Sequence, residues 1–154
     1  MKTNCFPPAL IVYTDRLPEY SGAAANGPVV RVRPKYRDDK GIHRHELRHV
    51  EQWWIGVALG FFAGLLLATL GAGGEVVLLG LAAGIAVHPV AYLRLRRYRL
   101  WTEARAYREQ TRWPAADGDH LSVESAAYKL TAEHYRLGLT YEQTLDYLKG
   151  HHDA

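Results

Sequence analysis

Apolar and polar positions in this chain are sorted into blocks rather than mixed. From Trp53 to Leu93 the only Asp, Glu, Lys or Arg is Glu75. Trp53–Gly74 is uncharged throughout and ends in the turn Gly71-Ala72-Gly73-Gly74. Val76–Leu93 is a second apolar run, with His88 its only ionisable group. Each run can cross a hydrocarbon layer of roughly 30 Å as a helix. Gly56, Gly60 and Gly64 are spaced by four, as are Gly80 and Gly84. In a soluble helix each glycine costs about 1 kcal/mol. In lipid, small residues at this spacing let two helices approach closely. The pattern predicts a transmembrane helical hairpin.

Shorter patterns flank it. Ala9–Thr14 and Val29–Val32 read as strands, separated by a Gly-, Ala- and Pro-containing loop over 15–28. Asp38-Asp39-Lys40-Gly41 can cap a helix that starts near Ile42 and runs to about Leu70. The second helix is expected from Glu75 to about Arg112, kinked near Pro89. Pro114–His120 reads as a loop. Ser122–Leu137 and Thr140–Lys149 read as amphipathic helices, each opened by an N-cap residue. The expected fold class is α+β, mostly α, as a single domain over 1–154. It divides into N-terminal strands and loop (1–40), two long helices with their apolar hairpin (41–112) and a C-terminal helical segment (113–154).

Charge refines this picture. The formal net charge of +3 is unevenly placed. Residues 31–48 hold Arg31, Arg33, Lys35, Arg37, Lys40, Arg44 and Arg48, and residues 94–112 hold seven arginines. No nucleic-acid recognition module accompanies these patches, so nucleic acid is not an expected partner. They flank the apolar block on both sides, while its turn has no Lys or Arg. The positive-inside rule then places both termini in the cytoplasm. Trp53, Trp54, Tyr92, Tyr98 and Trp101 fall where interfacial aromatics belong. The many aromatics and the apolar block exclude disorder of the whole chain, and one cysteine excludes a disulfide scaffold. Met1–Leu10 has no apolar core of a secretory signal.

One motif carries chemistry. His45-Glu46-Leu47-Arg48-His49 is HExxH. Histidines at i and i+4 share a helix face and can share a zinc ion, and the glutamate can act as base toward the zinc-activated water. A catalytic zinc needs a third ligand and an open position. With the turn centred near Gly73, His45 before it and Glu103 after it lie at nearly equal sequence distances. Straight antiparallel helices then put the two within about 3 Å along the axis. Gly56 lies three turns beyond His45, as Gly60 does beyond His49, so each shares its histidine's face to within about 20°. Glu103 is therefore the expected third ligand, with Asp119 the second choice and Arg99 or Arg105 the alternative partners of Glu103.

These residues resemble the gluzincin pattern of zinc metallopeptidases, HExxH on one helix and a glutamate ligand in a later one. Glu103-Ala104-Arg105-Ala106-Tyr107 is similar to the ExxAD of membrane-embedded peptidases of the HtpX type. The resemblance covers roughly residues 28–110. It implies His45, His49 and Glu103 as zinc ligands, Glu46 as general base and Ala106 as the small residue. Tyr107 departs from the pattern's aspartate, which leaves open what orients a ligand histidine. Gln52 makes the motif HExxHxxQ. By the same resemblance, VVRVR would be the strand that holds substrate in extended form.

Other side chains invite lesser roles. His120, Tyr107 and His134 are candidates to stabilise the transition state. His88, an intramembrane ionisable group, is expected roughly 20 Å from the zinc level. His43 should face away from His45. Cys5 could cap a metal as a thiolate, and His151-His152 reads as a frayed tail. The expectation is a zinc-dependent metallopeptidase with its site at the cytoplasmic membrane surface. Its partners would be a peptide or protein substrate, membrane lipid and a homo-oligomer formed through the Gly-rich helix faces. The alternatives are a non-catalytic small membrane protein (pore, lysis or assembly component) and a soluble cytoplasmic domain that buries its hairpin by oligomerisation.

Overall fold

The computed structural model describes residues 2–150, and among these the α+β fold expected from the sequence is present. The two anticipated strands form, but within a larger sheet. β1 (Lys2–Cys5), β2 (Pro8–Tyr13), β3 (Ala23–Asn26) and β4 (Val29–Val32) lie in the order β1-β2-β4-β3. β2 and β4 are parallel, and β1 and β3 flank them antiparallel. β3 corrects the expected loop over 15–28. Its Ala-Ala-Ala-Asn run has little intrinsic strand preference. The tight turn at Gly27 (φ 59) and the ladder to β4 impose the conformation. β4 corrects a second expectation. It is paired on both sides, so VVRVR is not an open edge; that edge belongs to β3.

α1 (Lys40–Leu67) begins at Asp39, whose carboxylate accepts the Ile42 N–H at 2.8 Å. It continues unbroken through HExxH into the apolar block. A π turn over Ala68–Ala72 and the positive-φ Gly71 and Gly73 reverse the chain into α2 (Glu75–Arg94). The glycines interlock the two helices. A Cβ on Gly60 would lie 2.2 Å from the Gly80 carbonyl oxygen, and one on Gly84 would lie 2.6 Å from that of Gly56. These glycine faces pack on one another within one chain. Lys40–Ala72 and Glu75–Arg94 are both long and apolar enough to cross a membrane.

The second helix is not continuous. Pro89 remains inside α2, and the chain breaks instead at Leu95 (φ −107, ψ 104) before α3 (Arg96–Gln110). Proline lacks an N–H, so the Ile85 carbonyl has no helical partner. The Trp53 indole N–H donates to it at 3.1 Å. At the break, Arg99 Nε and Nη2 donate to the Tyr92 and Leu93 carbonyls at 2.8 and 2.7 Å. Its Nη1 donates to the Tyr135 carbonyl at 2.9 Å. One buried guanidinium thus satisfies the end of α2 and ties it to the C-terminal segment.

α4 (Val123–Leu130) and α5 (Tyr141–Lys149) carry the anticipated caps, Ser122 and Thr140. The helix expected to reach Leu137 stops at Leu130. Ala132 is extended, and a single 3-10 turn, Glu133–Tyr135, ends at the left-handed Arg136 (φ 51). That turn presents the Tyr135 carbonyl to Arg99. Two hydrophobic cores result. One lies between the sheet and α1, around Val30, Val32, Leu47 and Val50. The other joins α3 to α4 and α5, around Ala104, Ala127, Leu130 and Leu137. Between them α1 presents His45 and His49, and α3 presents Glu103.

Candidate metal centre

Ile42, His45, Glu46, His49 and Trp53 share one face of α1 and line a cavity of about 710 Å³. β3 and its flanks close one side, the end of α2 the floor, and α3 with Tyr135 the other side. Within it, one ligand atom each from His45, His49 and Glu103 lies within 4.8 Å of the others. The two Nε2 atoms are 3.3 Å apart, and each is 3.5 Å from a Glu103 oxygen. Glu103 is only 3% exposed. Burial by itself would raise its carboxyl pKa, but the adjacent His49 and His45 outweigh this and hold it well below the usual carboxylate range. Glu103 Oε2 and His45 Nδ1 make no hydrogen bond. Two imidazoles and an ionised carboxylate converge here, with Glu103 Oε2 making no hydrogen bond, and could hold a divalent metal ion.

Neighbouring groups fix the three donors. Gln52 Oε1 lies 3.2 Å from His49 Nδ1, which directs Nε2 toward the cluster. The Tyr107 ring meets His45 edge-on, centroids 4.6 Å apart. Its hydroxyl is 2.8 Å from that of Tyr135. Burial pushes both phenols above their ordinary range, so both keep their protons. Tyr92 donates to Glu103 Oε1 at 2.5 Å. Glu46 is buried, and the Ala25 backbone of β3 lies against its carboxylate.

Glu103 meets the histidines by a different route from the one expected. Gly60 packs on Gly80 and Gly84, so the helices mirror about residues 70–71, not 73. The break at Leu95 then lets α3 fold back toward α1. The same shift corrects His88, which lines the cavity instead of lying far below it and bonds Tyr98 at 2.8 Å. Arg99 holds carbonyls rather than Glu103, and Arg105 lies over Trp101. His120 is not in the cavity; its ring nitrogen is 3.2 Å from the Thr111 carbonyl, and Asp119 is exposed beside it. The loop closes on itself through the Pro114–His120 bridge, which keeps both from the site. His134 reaches the cavity mouth and stacks on Tyr20 at 4.6 Å. His43 turns away, 3.1 Å from the Arg37 carbonyl. The Cys5 side chain and His151-His152 lie outside the described ones. Sequence reasoning missed Tyr135, Arg99 and β3 as parts of the site, and placed Tyr92 only at an interface. Their roles depend on the break at Leu95 and on sheet order, neither of which has a local signal.

In comparisons with family models, curated proteins and solved structures, the chain matches none.

Proposed function

We propose that this chain is a small, membrane-anchored zinc metallopeptidase of gluzincin-like design. The observation that supports it most is the convergence of His45, His49 and Glu103 with Glu46 beside them in one cavity. Zinc held there would polarise a peptide carbonyl and lower the pKa of a water molecule. Glu46 takes the proton from the attacking water and returns it to the leaving amine nitrogen. Of the two hydrogen-bonded phenols, Tyr107 and Tyr135, one retains a proton to donate to the carbonyl oxygen as it gains charge. The open edge of β3, beside Glu46, holds a peptide or protein substrate in extended form. The exposed apolar faces of α1 and α2 anchor the chain in lipid, and the arginines at both open ends favour cytoplasmic termini.

The test is zinc content and peptide hydrolysis of the detergent-purified chain and its Glu46→Gln variant. Both should hold about one zinc per chain, and only the wild type should hydrolyse. A wild type still metal-free after incubation with zinc would overturn the proposal. Retention in the membrane pellet after carbonate washing tests the anchor.

A further inference from the structure

β3 runs alongside α1. A Cβ on Gly22 would lie 2.8 Å from Ile42 Cδ1, and one on Gly27 would lie 3.3 Å from the Trp53 ring. Between them, the Ala25 backbone meets Glu46. Ile42 to Trp53 is about 16 Å of helix, and residues 22 to 27 span about 17 Å of strand. The matching order and length set β3 nearly parallel to α1, pointing toward the hairpin.

The free edge of β3 faces the candidate centre. The Gly22 carbonyl accepts the Arg33 N–H at 2.9 Å. Alternation along an antiparallel ladder then pairs Ala24 and Asn26 with β4 and turns the backbone groups of Ala23 and Ala25 outward. Ala25 meets Glu46 on that outward side, within the cavity. The three alanines present only methyl groups, so the strand has little with which to read a side chain.

We infer that β3 and Trp53 act as a ruler, so that an extended segment leaving the bilayer is cut at a set distance from the membrane rather than at a set sequence. This rests on the proposed peptidase reading. Trp53 begins the uncharged block and is fixed on two sides, by the turn at Gly27 and by the Ile85 carbonyl. Glu46 stands about 10 Å above it along α1, the length of about three extended residues. Antiparallel pairing is the more stable arrangement, and β3 points toward the bilayer, so the paired segment runs away from it. The favoured substrate therefore has its membrane anchor on the N-terminal side of the cut.

The experiment uses the zinc-loaded full chain in phosphatidylcholine–phosphatidylglycerol vesicles. Its substrates are single-span peptides with Gly-Ser spacers of graded length between the span and a constant tail. Mass spectrometry maps the cut. The expected cut stays about three residues beyond the span for every spacer, and a peptide with its tail N-terminal to the span is cut at least tenfold more slowly. A cut that follows the tail sequence at every spacer length, or equal cutting of both orientations, overturns the ruler. In parallel, the Glu46→Gln chain is photocrosslinked to the same peptides from each spacer position. Crosslinks to β3 confined to the third or fourth position, without hydrolysis by the wild type, retain the register and overturn the peptidase reading. Hydrolysis with crosslinks spread over all positions does the reverse.

Discussion

The two halves of α1 obey opposite rules of burial. In Lys40–Gln52, His45, Glu46 and Gln52 are each 6% exposed, although all are polar. In Trp53–Leu67, Leu59, Phe62 and Leu66 are at least 60% exposed, although all are large and apolar. The buried polar groups of the upper half gather at the candidate centre, where Gln52 Oε1 meets His49 Nδ1 and His45 Nε2 lies 3.5 Å from Glu103 Oε2. The lower half buries mainly what allows close approach, Gly56, Val57 and Gly64. A helix built for water alone would have reversed both halves. The contrast puts a buried polar face and an exposed apolar face on one continuous helix, with the candidate centre just beyond the apolar stretch.

The comparison breaks most sharply at the upper end. His49→Ala should abolish metal binding, measured as zinc content, because it removes one of three converging donors. Glu46→Gln should retain the metal and lower hydrolysis by about 10²–10⁴-fold. If Glu46→Gln also empties the site, the division between ligand and base is wrong.

The lower half gives the next largest effect. Leu66→Arg places a charge on the exposed apolar face. In a bilayer this costs about 3 kcal/mol of insertion free energy, whereas in water it would cost almost nothing. A glycosylation-reporter insertion assay distinguishes the two outcomes, and unchanged insertion would count against the membrane reading.

Arg99→Ala joins the halves. It leaves the Tyr92, Leu93 and Tyr135 carbonyls without their donor. An unsatisfied buried group costs about 1–3 kcal/mol, so thermal unfolding should shift downward and zinc affinity should fall with it. Arg99→Lys should recover part of both, having fewer donors in a less fixed geometry. The smallest effect is Gln52→Leu, which removes the partner of His49 Nδ1. Zinc affinity by competition titration should fall about 10–100-fold, with the fold unchanged by circular dichroism.

Much of this was legible along the chain. The charge-free block, its glycine spacing and its central turn marked an apolar hairpin, because helix–helix approach depends on residue size at a fixed period. HExxH marked two donors and a carboxylate on one helix face, because 3.6-residue geometry is local. Ser122 and Thr140 marked helix starts, since capping is satisfied within one turn. Glu103 was singled out by a register argument whose premises, a turn centred at Gly73 and a straight second helix, do not hold. The histidines and Glu103 meet nonetheless, because α3 is a separate helix that folds back after Leu95.

The sequence by itself therefore determined what depends on neighbours within one or two turns: the hairpin, the motif face and the caps. Only the tertiary structure decided what depends on distant partners. Ala23–Asn26 becomes a strand because β4 offers it a ladder, and β4 loses its open edge for the same reason. The chain breaks at Leu95 because Arg99, reaching back to α2 and across to Tyr135, satisfies the carbonyls that a helix end would otherwise leave bare. Hydrogen bonds between distant segments, as between Arg99 and Tyr135, leave no periodic trace in the sequence. The Arg99 bonds set α3, which carries Glu103, against the end of α2, and the ladder to β4 sets β3 beside Glu46.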